Sequence, residues 1–328
     1  MTRFFANANY DFIGFRWKAI WATVVVVLPG LLLLAWKGFN YSIEFTGGTL
    51  IQIEAHKPVD VARLRTGLDA AGFHGAEITQ FGGPSEFVIR ARSSKPGVDP
   101  NDTQTTADAV KAVLDGVLGA GSFTVAHREA VGPKVGGELR QKAFMAIFLS
   151  FFAVLAYLAY RFEWRFGVAA VVATAHDIIA TIAFISVLRL EVSLVVVAAV
   201  LSMVGYSLND TIIIFDRVRE NIIRMKKESF ITILNRSINE TLPRSILTHG
   251  TTIATLTSLA VLGGEVIRPF SLVMFFGVFT GTFSSIFIAS PVLMWIEQRW
   301  PSPQVRGAKV PAAKAPGSTG GRKPQPVG

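Results

Sequence analysis

The sequence contains no cysteine in its 328 residues, which excludes a disulfide framework and any thiolate metal site. Charged residues are also scarce, at 17% of the chain, whereas soluble domains carry about 25%. Apolar residues make up 51% and are concentrated in blocks. This composition disfavours an ordinary pair of soluble domains. Any domain folded outside the membrane must be stabilised by its hydrophobic core alone.

Six stretches of the sequence carry almost no charge and are long enough to cross a hydrocarbon core of about 30 Å as helices. Lipid offers no hydrogen-bond partners, so a single crossing segment must be helical to satisfy its own backbone. The predicted membrane spans are Ala19–Trp36, Ala143–Tyr160, Phe166–Leu188, Val192–Phe215, Ser245–Leu262 and Phe270–Ile296. The first span is too long for the core of a signal peptide and has no cleavage site after it, which favours an uncleaved anchor.

The basic residues predict the orientation of these spans. Lys and Arg are concentrated before the first span, after the fourth and after the sixth, whereas the opposite short connections carry only Arg189 and Arg268. By the positive-inside rule, residues 1–18 and 297–328 are predicted to be cytoplasmic and residues 37–140 extracytoplasmic. The same distribution accounts for the net charge of +9 and disfavours nucleic-acid binding. The terminal tail is rich in Pro, Gly and Lys and is predicted to be disordered.

The extracytoplasmic segment has the pattern of a small α+β domain. Its strand-like and helix-like stretches follow the order strand, helix, two strands, helix, strand, which is typical of a ferredoxin-like domain. Residues 216–242, after the fourth span, combine charge with regularly spaced apolar residues and are predicted to form an amphipathic helix at the cytoplasmic interface. The predicted fold is an α-helical membrane protein with six transmembrane helices and one small extracytoplasmic domain.

Ionisable side chains at membrane depth are costly and are therefore candidates for function. His176 and Asp177 lie near the middle of the third span. Asp210 lies in the cytoplasmic half of the fourth span, and Arg244 opens the fifth. Because arginine keeps its proton, a buried carboxylate beside it is held between attraction to the cation and the cost of burial. We expect Asp210 and Arg244 to form the core of a proton relay, with Asp177 and His176 in support.

Polar residues recur at helical spacing on the fifth span and form a single stripe. The stripe consists of Arg244, Thr248, Thr251, Thr255 and Ser258. Shorter stripes occur on the third and fourth spans, the latter ending at Asn209, and the three are predicted to enclose a hydrated seam. The alternatives are a static ion pair that fixes helix register, an arginine that reaches the headgroups, and hydroxyl groups that only permit close packing.

Several short motifs resemble the SecD/SecF family of protein-export membrane subunits, in particular its SecF branch. They are residues 45–49 (FTGGT), 131–139 (VGPKVGGEL), 160–165 (YRFEWR), 205–211 (GYSLNDT) and 241–248 (TLPRSILT). Gly47 and Gly48 belong to the first motif, and Gly205 and Tyr206 belong to the fourth. The resemblance extends from about residue 12 to residue 299.

The resemblance implies a non-enzymatic subunit related to the resistance-nodulation-division transporters, located in the bacterial inner membrane. It assigns proton conduction to the positions of Asp210 and Arg244. It also implies a SecD partner that supplies six further helices, and action with the SecYEG channel on a translocating polypeptide. No cofactor is implied, because the proton-motive force supplies the energy. Coupling to sodium instead of protons is an open alternative.

Three residues depart from the family pattern, and one of them is Pro243, which precedes the arginine. His249 stands where a small polar residue is expected, and Glu44 stands where aspartate is more common. The alternative function is a half-size resistance-nodulation-division exporter of small hydrophobic molecules or lipids. An intramembrane hydrolase is disfavoured, because the chain has neither a second catalytic carboxylate motif nor a His-Glu-x-x-His spacing.

Overall fold

The computed structural model describes residues 8–57, 59–73, 76–80, 83, 85–91 and 103–302. In chain order its elements are α1 (Arg16–Lys37), α2 (Ile43–Thr46), β1 (Gly48–Ala55), α3 (Val61–Ala70), β2 (Glu77–Gln80), β3 (Glu86–Ala91), α4 (Thr103–Leu118), β4 (Phe123–Val131), α5 (Pro133–Arg161), α6 (Trp164–Val187), α7 (Leu194–Arg224), α8 (Phe230–Leu262), α9 (Gly264–Ser284), a π-helical segment (Ser285–Ala289) and α10 (Ser290–Arg299).

The six predicted membrane spans are confirmed. Within the described residues, six helical stretches have the length and apolar composition needed to cross a membrane. They correspond to α1, α5, α6, α7, α8 and the continuous stretch from α9 to α10. The predicted disorder of the C-terminal tail concerns residues that, from 303 onward, lie outside the described part of the chain.

Local signals in the sequence set the ends of several of these helices. The Ser193 hydroxyl caps α7 by accepting a hydrogen bond from the Val196 backbone N–H at 3.3 Å. Ser229 caps α8 in the same way, accepting from Thr232 N–H at 3.2 Å. Each such cap stabilises its helix by about 1 kcal/mol. Helix α1 ends at Gly38, whose φ of 67° is unfavourable for residues with a side chain.

The segment 216–242 differs from its prediction. It is not a separate amphipathic helix, because it is divided between the end of α7 and the start of α8, with a break at 225–229. Its apolar residues Ile222, Ile233, Leu234 and Ile238 are buried in the main core. Asn221 Nδ2 also donates to Ser237 Oγ across the two helices at 3.0 Å. The helical spacing therefore belongs to two helices whose apolar faces cover each other instead of contacting headgroups.

The described residues between 48 and 131 form the predicted ferredoxin-like domain. Its four antiparallel strands have the order β2-β3-β1-β4, and α3 and α4 pack against the sheet. Strand β1 alternates in burial, so that Ile51 and Ile53 enter the core with Leu64 and Leu68 of α3. The fold class expected from the sequence is confirmed in both of its parts.

The domain is attached at the loop between α6 and α7. The Val192 N–H donates to the carbonyl of Asn40 at 2.7 Å, and the Ser42 N–H donates to the carbonyl of Val192 at 3.0 Å. Arg90 of β3 forms an ion pair with Glu191 of the same loop. Backbone and charged contacts therefore join the domain to the helical bundle.

The spans differ strongly in how much of their surface the chain itself covers. Half or more of the apolar window is buried in α6, α7 and the α9–α10 stretch (50%, 50% and 56%), against 11% in α1 and α5 and 17% in α8. Glycines bring α9 and α7 close together, since a Cβ added at Gly277 would lie 2.1 Å from Met203 Cγ. The bundle therefore has a tight centre, and wide faces of α1, α5 and α8 are left to lipid or to another protein.

Candidate functional site

Asp177 lies on α6 where α6, α7 and α9 meet, and it is completely buried. Its Oδ2 accepts hydrogen bonds from Ser207 Oγ of α7 at 2.5 Å and from Ser284 Oγ of α9 at 2.7 Å. Its Oδ1 lies 3.0 Å from His176 Nδ1. A carboxylate with three polar partners from three helices fixes the relative positions of those helices.

The sixth span changes its winding beside this carboxylate. Helix α9 passes into the π-helical segment Ser285–Ala289, and Ser285 Oγ lies 2.7 Å from Thr211 Oγ1 of α7. Such π segments are rare and frequently occur at functional sites. The contribution of Ser284 and Ser285 was not predicted from the sequence. The spacing of three and four residues from Gly281 is the signal that identifies a small, polar helix face.

The Nδ1 atom of His176 contacts the carboxylate of Asp177, its neighbour in the chain, although adjacent residues lie about 100° apart around an ideal helix. The second ring nitrogen, Nε2, is buried and has no hydrogen-bond partner among the residues that the structure describes. The ring lines an apolar cleft of about 220 Å³ formed with residues of α1 and α9. Asp177 and His176 share no hydrogen-bond partner with Asp210 in the described residues.

Asp210 is buried on α7, one helical turn beyond Ser207, and it faces α8. Its Oδ1 accepts a hydrogen bond from Ser245 Oγ at 3.2 Å. Its Oδ2 lies 3.4 Å from His249 Nδ1, close enough for an ion pair when the ring is protonated. The Tyr206 ring packs edge-on against the His249 ring, with the centroids 5.4 Å apart. Asp210, Ser245, His249 and Tyr206 together are called the α7–α8 site below.

The predicted ion pair between Asp210 and Arg244 is absent. The Arg244 side chain is exposed, and no carboxylate of the described residues pairs with it. The reason is geometric: Ser245 is directed toward Asp210, and the preceding residue lies about 100° away around the helix. His249, one turn beyond Ser245, lies next to Asp210 where the arginine was predicted.

The polar stripe of α8 is not enclosed within this chain. Thr251 and Thr255 are exposed, and their hydroxyls donate to carbonyls one turn earlier in the same helix at 3.0 and 3.1 Å. Thr248 is half-buried, and its carbonyl accepts a hydrogen bond from the Tyr206 hydroxyl at 3.3 Å. The hydrated seam expected between three stripes is therefore not formed by the described residues alone.

The remaining polar groups form an outward-facing surface beside the α7–α8 site. This exposed polar face consists of Asn209, Arg244, Thr251, Thr255 and Ser258. Polar residues on a lipid-facing surface are unfavourable, whereas the same residues are common where helices pack against one another. The surface therefore has the composition of a helix–helix interface.

The glycine motif has a conformational role. Gly47 and Gly48 connect α2 to β1, and both have positive φ values, 73° and 134°, which residues with side chains rarely adopt. The first turn of α5 approaches them closely, because a Cβ added at Gly136 would lie 2.9 Å from the Gly47 nitrogen. The motif thus places the domain directly on the N-terminal end of α5, the second span.

Comparisons with known families agree with this architecture. The model described as protein export membrane protein SecD/SecF, C-terminal, matches residues 110–299, and the SecD/SecF GG motif model matches residues 33–59. The first match covers the five spans from α5 to α10, and the second covers the glycine motif.

Two relatives show the extent of the similarity. The protein translocase subunit SecF of Gemmatimonas aurantiaca is 53% identical over 305 residues, which is 92% of this chain and 91% of the relative. The protein translocase subunit SecF of Magnetococcus marinus is 42% identical over 297 residues, which is 90% of this chain and 95% of the relative. Both are named as subunits of a transport machinery.

A solved structure has the same fold. SecDF, a translocon-associated membrane protein from Thermus thermophilus, matches 90% of this chain with a TM-score of 0.79 and 36% sequence identity. This chain spans 39% of the length of that protein. Both family models match, and the relatives cover nearly the whole chain. The chain therefore belongs to the SecD/SecF family of protein-export membrane proteins, as one of its SecF members.

Proposed function

We propose that the chain acts with a SecD-type protein as a membrane subunit that uses inward proton flow to drive polypeptide export. The observation that carries this proposal is the state of Asp210, which is buried with one hydrogen bond, from Ser245, and one titratable neighbour, His249. A carboxylate held so loosely at membrane depth is suited to take up and release a proton. No enzymatic step and no cofactor are required, because the ion gradient supplies the energy.

The exposed polar face supports the participation of a second membrane protein. Asn209 and Arg244 lie beside Asp210 but are directed out of the chain. A partner helix packed there would remove these groups from lipid and enclose the α7–α8 site. The match to SecDF supports a SecD-type partner, since this chain covers 39% of that longer protein and leaves a second part unmatched.

The proposed cycle couples protonation of Asp210 to movement of α7 against α8. When Asp210 is ionised, it attracts protonated His249 and, more weakly, the nearby Arg244. When it is protonated, that attraction is lost and the helices are free to shift. One proton crossing about 100 mV releases about 2.3 kcal/mol, enough to bias a two-state element more than tenfold.

The arrangement across the membrane follows from the basic loops. We place both termini in the cytoplasm and the domain of residues 48–131 on the outer side, where polypeptides emerge from the SecYEG channel. The contacts of Arg90 and Val192 with the neighbouring segments would transmit a helix shift to that domain. The domain would then hold the emerging chain and prevent it from sliding back.

The relay is tested by replacing Asp210 with asparagine in cells and following the maturation of a secreted precursor. We expect proton-force-dependent export to fall about tenfold or more. The matched control is Asp216→Asn, the same substitution on the same helix, at a half-exposed residue paired with Arg161. Normal export in the Asp210 variant, at a wild-type protein level, would remove the relay role.

The partner is tested by purification of the full chain in native lipids. Co-elution with a second six-span protein supports the proposal, whereas a homotrimer supports the half-size exporter. Arg244→Ala is expected to reduce co-elution about fivefold while changing the free energy of unfolding of the chain by less than about 0.5 kcal/mol. Arg219→Ala, which alters a cytoplasmic surface residue of α7, is the control expected to leave co-elution unchanged.

A further inference from the structure

An apolar slot lies between the second, third and fourth spans, on the side of the membrane that carries the domain. Its volume is about 90 Å³. Its walls are Phe144 and Ile147 of α5, Ile178 and Ile182 of α6, and Val196 and Val200 of α7. The segment from Phe39 to Phe45 closes its upper end. A cavity with such walls stays dry and accepts hydrocarbon.

The slot is placed where a lipid chain can enter it. Helix α5 is covered over only 11% of its apolar window, and Phe144 on the slot wall is 55% exposed. From Arg140 at the mouth to Ile147, seven residues further along α5, the helix rises about 10 Å. The slot therefore runs from the interface into the hydrocarbon region of the adjacent leaflet.

Two guanidinium groups border the mouth of the slot. Arg140 lines it directly and lies over the Tyr41 ring, 6.0 Å from the centroid. Arg189 does not line the slot, but its Nη1 donates to the carbonyl of Gly38 at 2.8 Å, next to the lining residue Phe39. Neither arginine has a carboxylate within ion-pair distance in the described part of the chain.

The carboxylates close to this mouth are already engaged. Glu191 pairs with Arg90 of the domain, and Glu44 accepts a hydrogen bond from the backbone N–H of Leu194 at 2.5 Å. In the described part of the chain, the Arg140 guanidinium at the mouth is therefore left without an ion-pair partner above a hydrocarbon slot. A phosphodiester with an attached acyl chain complements both features, since arginine binds phosphate oxygens in a bidentate manner.

We propose that the slot binds one acyl chain of an anionic phospholipid from the leaflet on the domain side, with the headgroup phosphate on Arg140. The lipid would fill the gap between α5 and the tightly packed centre of the bundle. It would also join the outer end of the second span to the segment that carries Phe39 and Tyr41. This inference depends on membrane insertion alone and is independent of proton coupling.

The test is native mass spectrometry of the full chain, exchanged into detergent with equal amounts of phosphatidylglycerol and phosphatidylcholine of distinguishable mass. We expect one retained phosphatidylglycerol per chain. Arg140→Gln is expected to lower its retention about fivefold. Lys142→Gln, which removes an exposed cation two residues further along the same helix, is expected to have no effect.

A second variant tests the slot itself. Ala143→Phe places a large ring at the slot wall and is expected to abolish retention, with folding checked by thermal unfolding. Equal retention of the two lipids, unchanged in Arg140→Gln, would overturn the role of the headgroup. Wild-type retention of phosphatidylglycerol in both variants would overturn the site.

Discussion

Asp177 of α6 and Asp210 of α7 are both buried carboxylates, yet their surroundings differ. Asp177 has partners from three helices, with hydrogen bonds from Ser207 and Ser284 at 2.5 and 2.7 Å. Asp210 has one hydrogen bond of 3.2 Å and a histidine at 3.4 Å. The first carboxylate lies in the tight centre of the bundle, and the second lies next to the thinly covered helix α8.

The difference in hydrogen-bond partners indicates a structural role for Asp177 and a mobile one for Asp210. A fully satisfied buried carboxylate makes its surroundings rigid, and its removal leaves several donors unpaired. A carboxylate with few partners costs little to rearrange. Asp177 is therefore the anchor of the α6–α7–α9 centre, and Asp210 is the group that is free to change its contacts.

The largest expected effect on stability comes from removing the anchor. Asp177→Ala leaves the buried Ser207 hydroxyl without its acceptor and leaves the Ser284 hydroxyl only the Gly281 carbonyl at 3.1 Å. It is expected to lower the free energy of unfolding by about 3 kcal/mol. Asp210→Ala loses one hydrogen bond and is expected to cost about 1 kcal/mol. Unfolding in mixed detergent micelles measures both. Equal losses of unfolding free energy in the two variants would show that the two carboxylates do not differ in structural role.

The role of the Asp210 surroundings is tested by substituting its neighbour His249 while Asp210 itself is kept. His249→Gln removes the titratable ring and keeps a polar group of similar size. We expect proton-driven export to fall about fivefold, equivalent to about 1 kcal/mol, with little change in stability. Thr257→Ala, at an exposed α8 residue two turns further on, is the control. Unchanged export in His249→Gln would show that the histidine only packs against Asp210.

A smaller effect on stability is expected at a third carboxylate, Glu191. This residue is only partly buried and lies outside the membrane spans. Burial raises its pKa, the Arg90 charge opposes that shift, and the charges of Glu77 and Glu44 add to it. A raised carboxyl pKa means that the folded protein holds the proton more tightly than the unfolded chain. Its contribution to stability is therefore present at low pH and is lost as the pH rises through the folded-state pKa.

Glu191→Gln should remove this pH dependence. Between the ordinary glutamate pKa and neutral pH, the free energy of unfolding of the wild type should fall relative to the variant, by about 1 kcal/mol or less. Glu138→Gln, at an exposed residue of α5, should leave the pH profile unchanged. A wild-type stability that rises relative to Glu191→Gln with increasing pH would contradict the assignment.

The fold was accessible from the sequence because its signals are local or periodic. Uncharged runs identify membrane helices by length, and β-branched stretches with Gly48 after α2 identify the start of the sheet. The division of 216–242 into two helices was not predicted, because helical spacing continues through the break and only the Ser229 cap marks it.

The site was predicted in part. The choice of His176, Asp177 and Asp210 as candidates follows from charge at membrane depth alone, and their roles stay predictions. The pairing of Asp210 was wrong, because which side of α8 faces α7 depends on packing that spacing does not specify. Ser284 escaped attention because a serine in an apolar span is ordinarily a packing residue, and only the contact with Asp177 distinguishes it.

We infer that Asp210, and not Asp177, is the carboxylate through which an ion gradient acts. The most direct measurement compares export into membrane vesicles energised by a pH gradient or by a sodium gradient, for the wild type, Asp177→Asn and Asp210→Asn at equal protein levels. We expect the pH gradient to stimulate export in the wild type and in Asp177→Asn, and not in Asp210→Asn. Full stimulation of export in the Asp210 variant by either gradient would show that Asp210 is not the coupling carboxylate.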